Sequence, residues 1–158
     1  LYMRSIPNLA QKPIWIILNS RGGDAYQGLA LHDVLKALRE SGVTVNILGI
    51  GVVASMTAVI LQAGTKRFSF PSTRFMIHQV NVMKFFAEEG EEEAEDNADV
   101  VKGVNRAVLG IIAERTGQSL KKLLESTERK REVWLDASEA LKYGTNGLID
   151  EIVTKLPF

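Results

Sequence analysis

The sequence predicts an α/β fold, and three segments near its start carry that prediction. Ile14-Trp15-Ile16-Ile17-Leu18 is a β-branched and aromatic run that ends in a glycine turn. An amphipathic stretch follows from about Ala25 to Glu40, and a second β-branched run spans Val43 to Ile50. Strand, helix and strand in that order favour a parallel sheet with right-handed crossovers. Each element has its own signal. Pro13 and Asn19-Ser20-Arg21-Gly22-Gly23-Asp24 bound the first strand. Leu29, Leu31, Val34, Leu35 and Leu38 recur at helical spacing before Ser41-Gly42 closes the helix. Small apolar residues from Val52 to Ala63 read as a helix buried on most faces, ended by Gly64, with Ser55 near its start. Lys66 to Phe70 and Arg74 to Gln79 read as short strands around the turn Pro71-Ser72-Thr73, with His78 at the end of the second. Helices are expected over about Asp99 to Arg115, Leu120 to Thr127 and Ala137 to Tyr143, and a last strand over Leu148 to Val153.

With 158 residues, 46% of them hydrophobic and 24% charged, the chain fits one domain, 1–158, with a real core. It opens at Leu1-Tyr2-Met3 with no cap or signal segment, which reads as a domain lacking its native N-terminal segment. Lys and Arg number 19 and Asp and Glu number 19, so no net field draws the chain to nucleic acid or an anionic membrane. The absence of cysteine removes disulfides, zinc-thiolate sites and thiol nucleophiles. Two histidines, His32 and His78, are too few for a His-rich metal centre. No apolar run approaches the roughly 20 residues of a membrane helix, and the expected setting is cytoplasmic. Eight of the twelve residues from Glu88 to Asp99 are acidic, which by itself reads as a solvated face or loop.

Two features could carry chemistry: a strand running into Gly22-Gly23, and Ser55 just past a second glycine turn. Glycines let the backbone approach a ligand and turn amide N–H groups outward, and a serine at a helix N-terminus lies in a positive potential that favours developing negative charge, so together they could form an oxyanion site. A Ser, a His and a carboxylate dispersed in sequence can meet in space as a triad. For a lone serine among small residues, packing is the ordinary explanation. His32, within the first helix, reads as structural or exposed.

A resemblance changes that weighting. Gly49-Ile50-Gly51-Val52-Val53-Ala54-Ser55-Met56-Thr57-Ala58 resembles the nucleophile segment of the ClpP proteases. Arg74-Phe75-Met76-Ile77-His78-Gln79 resembles their histidine strand, and Asn19-Ser20-Arg21-Gly22-Gly23 their Asn-Ser-Pro-Gly-Gly turn. Glu114-Arg115-Thr116-Gly117-Gln118, Thr127-Glu128-Arg129 and Ala137-Ser138-Glu139-Ala140, running on to Gly147-Leu148-Ile149-Asp150, follow in family order, so the match covers about Pro13 to Val153. The resemblance implies a ClpP/crotonase-like spiral of βαβ units with a protruding helical handle. It also implies an ATP-dependent Clp-type serine endopeptidase subunit. Ser55 would be the nucleophile, His78 the general base, and the Gly22 and Met56 amides the oxyanion hole. The family's aspartate follows its Thr-Glu-Arg triplet directly, where this chain has Lys130. Counting back from Leu135-Asp136-Ala137 makes Glu132 the candidate acid, with Asp136 second.

For assembly, the resemblance implies a homo-oligomeric heptameric ring, with a double ring as a further possibility. It would take unfolded polypeptide from an AAA+ Clp unfoldase that uses the ATP, with no cofactor in this chain. The glycines that bind substrate backbone in the family are absent from Val80-Asn81-Val82-Met83-Lys84-Phe85-Phe86, and the acidic run would weaken contact between rings. Loop differences at Gly64-Thr65 and from Tyr143 to Gly147 are expected at the surface. Three other readings compete: a catalytically impaired ring subunit, a crotonase-fold enzyme that binds acyl-CoA, and a Ser-Lys dyad based on Lys66 or Lys84.

Overall fold

The computed structural model describes residues 12–80 and 94–158, with the side chains of 94–98 and 130 excepted. The acidic run before residue 94, Lys84 and the segment following Val80 therefore lie outside the described residues.

Strand β1 (Ile14–Ser20) leads through the glycine turn into helix α1 (Ala25–Glu40), and β2 (Val45–Ala54) returns parallel to β1. Asp24 caps α1 by accepting from the Gln27 amide at 2.8 Å, as an N-terminal aspartate should. The first half of β2 lies between β1 and β3 (Lys66–Ser69). Its second half, Val52–Ala54, pairs in parallel with β4 (Arg74–Ile77). Strand β5 (Val133–Leu135) adds antiparallel to β4, and β6 (Glu151–Ile152) adds parallel to β3. The result is a six-stranded sheet in the order β5-β4-β2-β3-β6, with β1 on the free side of β2.

Val52-Val53-Ala54 do not begin a helix, contrary to expectation. They continue β2, and helix α2 is only Met56–Leu61. β-branched Val52 and Val53 take the open edge of β4, and the Ser55 backbone (φ 57°, ψ −125°) cannot belong to an α-helix. The last strand is also shorter than expected. Leu148 and Ile149 are fully buried, but the Leu148 amide donates to the carbonyl of Ala140, which keeps this part of the chain off the sheet.

The remaining helices are α3 (Ala94–Thr116), α4 (Leu120–Ser126) and α5 (Ala137–Leu141). Helix α2 packs against both α1 and α3. The core between helices and sheet is built from Ile47, Val53, Phe75 and Ile77 of the strands with Leu61, Leu109, Ile112 and Leu123 of the helices. Burying side chains of this size contributes about 1.5–3 kcal/mol each, which offsets the entropy of ordering the backbone. His32 is buried on α1, with Nδ1 3.0 Å from the Asp33 carboxylate.

A buried guanidinium closes the far end of the sheet. Arg67 is 2% exposed and donates to Gln62 Oε1 (2.6 Å), to the carbonyls of Gly147 (3.0 Å) and Asn146 (3.2 Å), and to Asp150. The 143–147 loop is therefore more than a surface feature: its exposed tip runs into carbonyls that satisfy a buried charge. Burial pushes the Asp150 carboxyl up, but the hydrogen bonds and charge of Arg67 outweigh this and hold it below the ordinary aspartate range. Arg115 and Arg39 donate to the carbonyls of Gly64 and Ala63 just past α2. Burial, then the charges of Arg67 and Arg39, hold Arg115 below the usual arginine range.

Candidate active site

Ser55 occupies the single residue between β2 and α2. Its positive φ costs of order 1–3 kcal/mol and persists only because the surroundings over-determine it. Three bonds do so. The Ser55 amide donates to the Met76 carbonyl on β4 at 2.9 Å, and its carbonyl accepts from the Ala58 amide at 3.0 Å. The Thr57 hydroxyl donates to the Ser20 carbonyl at the end of β1 at 3.2 Å. The Ser55 hydroxyl makes no capping bond to α2. It lies instead 2.7 Å from His78 Nε2, where an imidazole can take its proton.

The sheet makes this meeting inevitable. Val52–Ala54 pair with Arg74–Met76, so the ends of β2 and β4 lie side by side and the next residues on each, Ser55 and His78, converge. The bend in β2 that aims Ser55 is filled by Asn19. Between Leu18↔Gly49 and Ser20↔Val53 the β1–β2 register slips, and Asn19 Oδ1 accepts from the Val52 amide at 3.2 Å.

Gly22 lies against the same serine. Its φ is +98°, and a Cβ there would sit 2.7 Å from Ser55 Cβ, 2.8 Å from the Ala54 carbonyl and 3.0 Å from the Met56 amide nitrogen. Only glycine fits, and its backbone and that of Met56 border one space beside Ser55. The Gly22 amide donates to Ser20 Oγ at 3.2 Å, a long neutral bond that a developing oxyanion, as a charged acceptor, would displace. Ser55, His78 and Gly22 open onto a cavity of about 650 Å³. Its apolar wall includes Tyr26, Val59, Val108 and Ile112, and Arg21 stands at its edge.

The two candidate acids are placed differently. The β4–β5 ladder ends with Ile77 paired to Val133, and Glu132 is the residue just before β5. The Glu132 carboxylate accepts from Trp134 Nε1 at 2.9 Å. Asp136 is the N-cap of α5, accepting from the Glu139 amide and the Ser138 hydroxyl, each at 2.8 Å. The Glu139 backbone bond, then that of the Ser138 hydroxyl, hold Asp136 below the ordinary aspartate range. Lys66 begins β3 and pairs with Asn46 near the start of β2, at the opposite end of that strand from Ser55. Among the described residues no group of three or more His, Cys, Asp or Glu side chains could hold a metal ion, and no helix is long and apolar enough to cross a membrane.

Sequence reasoning passed over the residues that hold this site in place. Asn19, Gln79 and Thr127 all fall inside motifs already singled out, but their bonding partners are distant in sequence. Asn105 had no signal beyond being a polar residue in apolar surroundings.

Ser55 and His78 lie within proton-transfer distance at a strained strand-to-helix turn with the Gly22 backbone apposed, an arrangement on a βαβ scaffold that can support serine-hydrolase chemistry. The Clp protease family model matches residues 7–156, and the chain belongs to that family. It is 36% identical over 138 residues to an ATP-dependent Clp protease proteolytic subunit 2 of Treponema denticola, covering 85% of this chain and 64% of that protein. The subunits 2 from two Prochlorococcus marinus strains are 36% and 37% identical over 92% and 98% of this chain, and over 68% and 71% of their own lengths. The chain thus spans roughly two thirds of the curated relatives it matches. Its fold is similar to that of a ClpP1 variant from Listeria monocytogenes, with a TM-score of 0.75 and 35% identity over 91% of this chain and 75% of that one.

Proposed function

We propose that the chain is a serine endopeptidase subunit that hydrolyses peptide bonds of unfolded polypeptides inside a ring chamber. The observation that carries this reading is the 2.7 Å approach of Ser55 Oγ to His78 Nε2 at a backbone turn held in strain. In this mechanism His78 Nε2 takes the Ser55 proton as Oγ attacks the scissile carbonyl. The Gly22 and Met56 amides receive the oxyanion, and the imidazolium then passes the proton to the leaving amine. Water repeats the sequence on the acyl-enzyme. Glu132, which directly precedes the strand paired with β4, is the proposed acid, while Asp136 is engaged in capping α5. The apolar cavity suits an extended peptide carrying a hydrophobic side chain next to the cleaved bond. Family membership supports a homo-oligomeric ring, heptameric and single or double, fed by an AAA+ Clp unfoldase that supplies ATP hydrolysis.

A second reading, a ring subunit with an impaired site, is favoured by one observation: the Glu132 carboxylate accepts from the Trp134 indole. Intact mass after treatment with a fluorophosphonate, together with fluorogenic peptide turnover, separates the two. One adduct and measurable turnover on wild type, both lost in Ser55→Ala, is the expected result. A folded wild-type protein with neither would replace the first reading by the second.

A further inference from the structure

The β4–β5 ladder ends at Ile77↔Val133, so His78 is the first residue beyond the regular sheet. Its imidazole must nevertheless be held to within about 0.5 Å if it is to serve Ser55, and beyond the ladder the next two residues are held by side-chain hydrogen bonds. Gln79 Nε2 donates to the Leu124 carbonyl at 2.9 Å and to Thr127 Oγ1 at 3.2 Å, which uses both of its N–H groups. Thr127 is 0% exposed, and its hydroxyl proton goes to the Leu123 carbonyl at 2.6 Å. With its proton committed to α4, the hydroxyl can only accept from Gln79. The relay has one direction, from Gln79 through Thr127 to α4, and it fixes which way the Gln79 amide faces. One residue on, the Val80 amide donates to Asn105 Oδ1 of α3 at 2.7 Å.

Thr127 has a second connection. It ends α4 and opens the 3-10 turn Glu128–Lys130, in which Arg129 has a φ of 58°, and that turn delivers the chain to Glu132. One bonded pair therefore ties the residue after the histidine to the start of the segment that brings the acid. On the serine-peptidase reading above, on which this inference rests, we propose that Gln79 and Thr127 form a latch. As positioning residues, they would set the imidazole of His78 relative to both Ser55 and Glu132 without touching substrate. A misplacement of about 1 Å in such a group can cost about a hundredfold in rate, whereas substrate binding in the cavity is left intact.

The test compares Thr127→Val, Gln79→Met, the double variant and Thr127→Ser with wild type. It measures kcat and KM on a fluorogenic peptide, the second-order rate of fluorophosphonate labelling at Ser55, and the melting temperature. Half-buried Gln79 accepts an unbranched methionine of similar size, so the comparison does not depend on Thr127→Val alone. Both single variants should lose about tenfold to a hundredfold in kcat and in labelling rate, with KM within about twofold of wild type. Thr127→Ser, which restores the hydroxyl, should return kcat to near the wild-type value. The double variant should lose no more than the worse single one, because the two residues act as a unit. The latch is overturned if the folded single variants keep wild-type kcat, if the loss falls on KM, if Thr127→Ser is as impaired as Thr127→Val, or if the losses add. A wild-type protein that takes no label overturns the peptidase reading and the latch with it. Labelling of wild type and variants at equal rates overturns the latch alone.

Discussion

Gly22→Ala probes the backbone geometry of the proposed oxyanion hole while leaving Ser55 and His78 chemically unchanged. The added Cβ would lie 2.7 Å from Ser55 Cβ, 2.8 Å from the Ala54 carbonyl and 3.0 Å from the Met56 amide nitrogen. None of these atoms is the free end of a flexible side chain, so the two backbone segments must separate. The φ of +98° adds strain that glycine does not feel, and the folded state should lose about 1–3 kcal/mol in total. At about 2–4 °C per kcal/mol for a domain of this size, the melting temperature should fall by several degrees. The effect on turnover should be larger. Moving one donor away from the oxyanion costs about 10²–10³ in kcat, equivalent to about 2.7–4 kcal/mol. Here the displacement affects both proposed donors, since the Cβ intrudes beside the Met56 amide as well. Fluorogenic peptide kinetics on the purified, folded variant, with KM recorded separately and a thermal melt as control, give the comparison. A folded Gly22→Ala protein with kcat within about threefold of wild type would refute the assignment, because no preorganised donor pair tolerates such a shift.

Other perturbations reach the remaining assignments. Glu132→Gln keeps the size of the side chain but removes its charge, and kcat should fall by orders of magnitude, up to about 10⁴, with the fold intact by circular dichroism. Asp136→Ala should lower the melting temperature through loss of the α5 cap, yet leave kcat close to wild type; a collapse of kcat instead would make Asp136 the acid. Asp150→Asn should destabilise by on the order of 3 kcal/mol in urea unfolding, because it leaves the Arg67 guanidinium buried without its countercharge. Its pH signature has a definite sign. The folded value of Asp150 lies below the ordinary 3.8, so its stabilisation is fully present above that value and is lost as pH falls through the folded one. Asp150→Asn should therefore flatten the stability curve on the acid side of pH 3.8. An unchanged acid limb would show that the pair does not control it.

The sequence by itself determined the α/β class, the β1-α1-β2 opening, and Ser55, His78 and Gly22 as residues to examine. These are local matters: β-branched runs, helical spacing, caps and glycine turns act over a few residues, and the motifs lie within single segments. The tertiary structure decided what depends on partners far apart in the chain. Val52-Val53-Ala54 look helical as a run of small apolar residues, and they are strand because β4 offers an open edge. β5 is only three residues long and exists because it pairs with β4, the strand that ends one residue before His78. The separation of Glu132 and Asp136 into different environments follows from the β4–β5 register and the α5 cap. Gln79 with Thr127 and Arg67 with Asp150 are pairs whose members are 48 and 83 residues apart. Buried polar groups must find partners wherever the fold supplies them, and no pattern within a segment specifies where that will be.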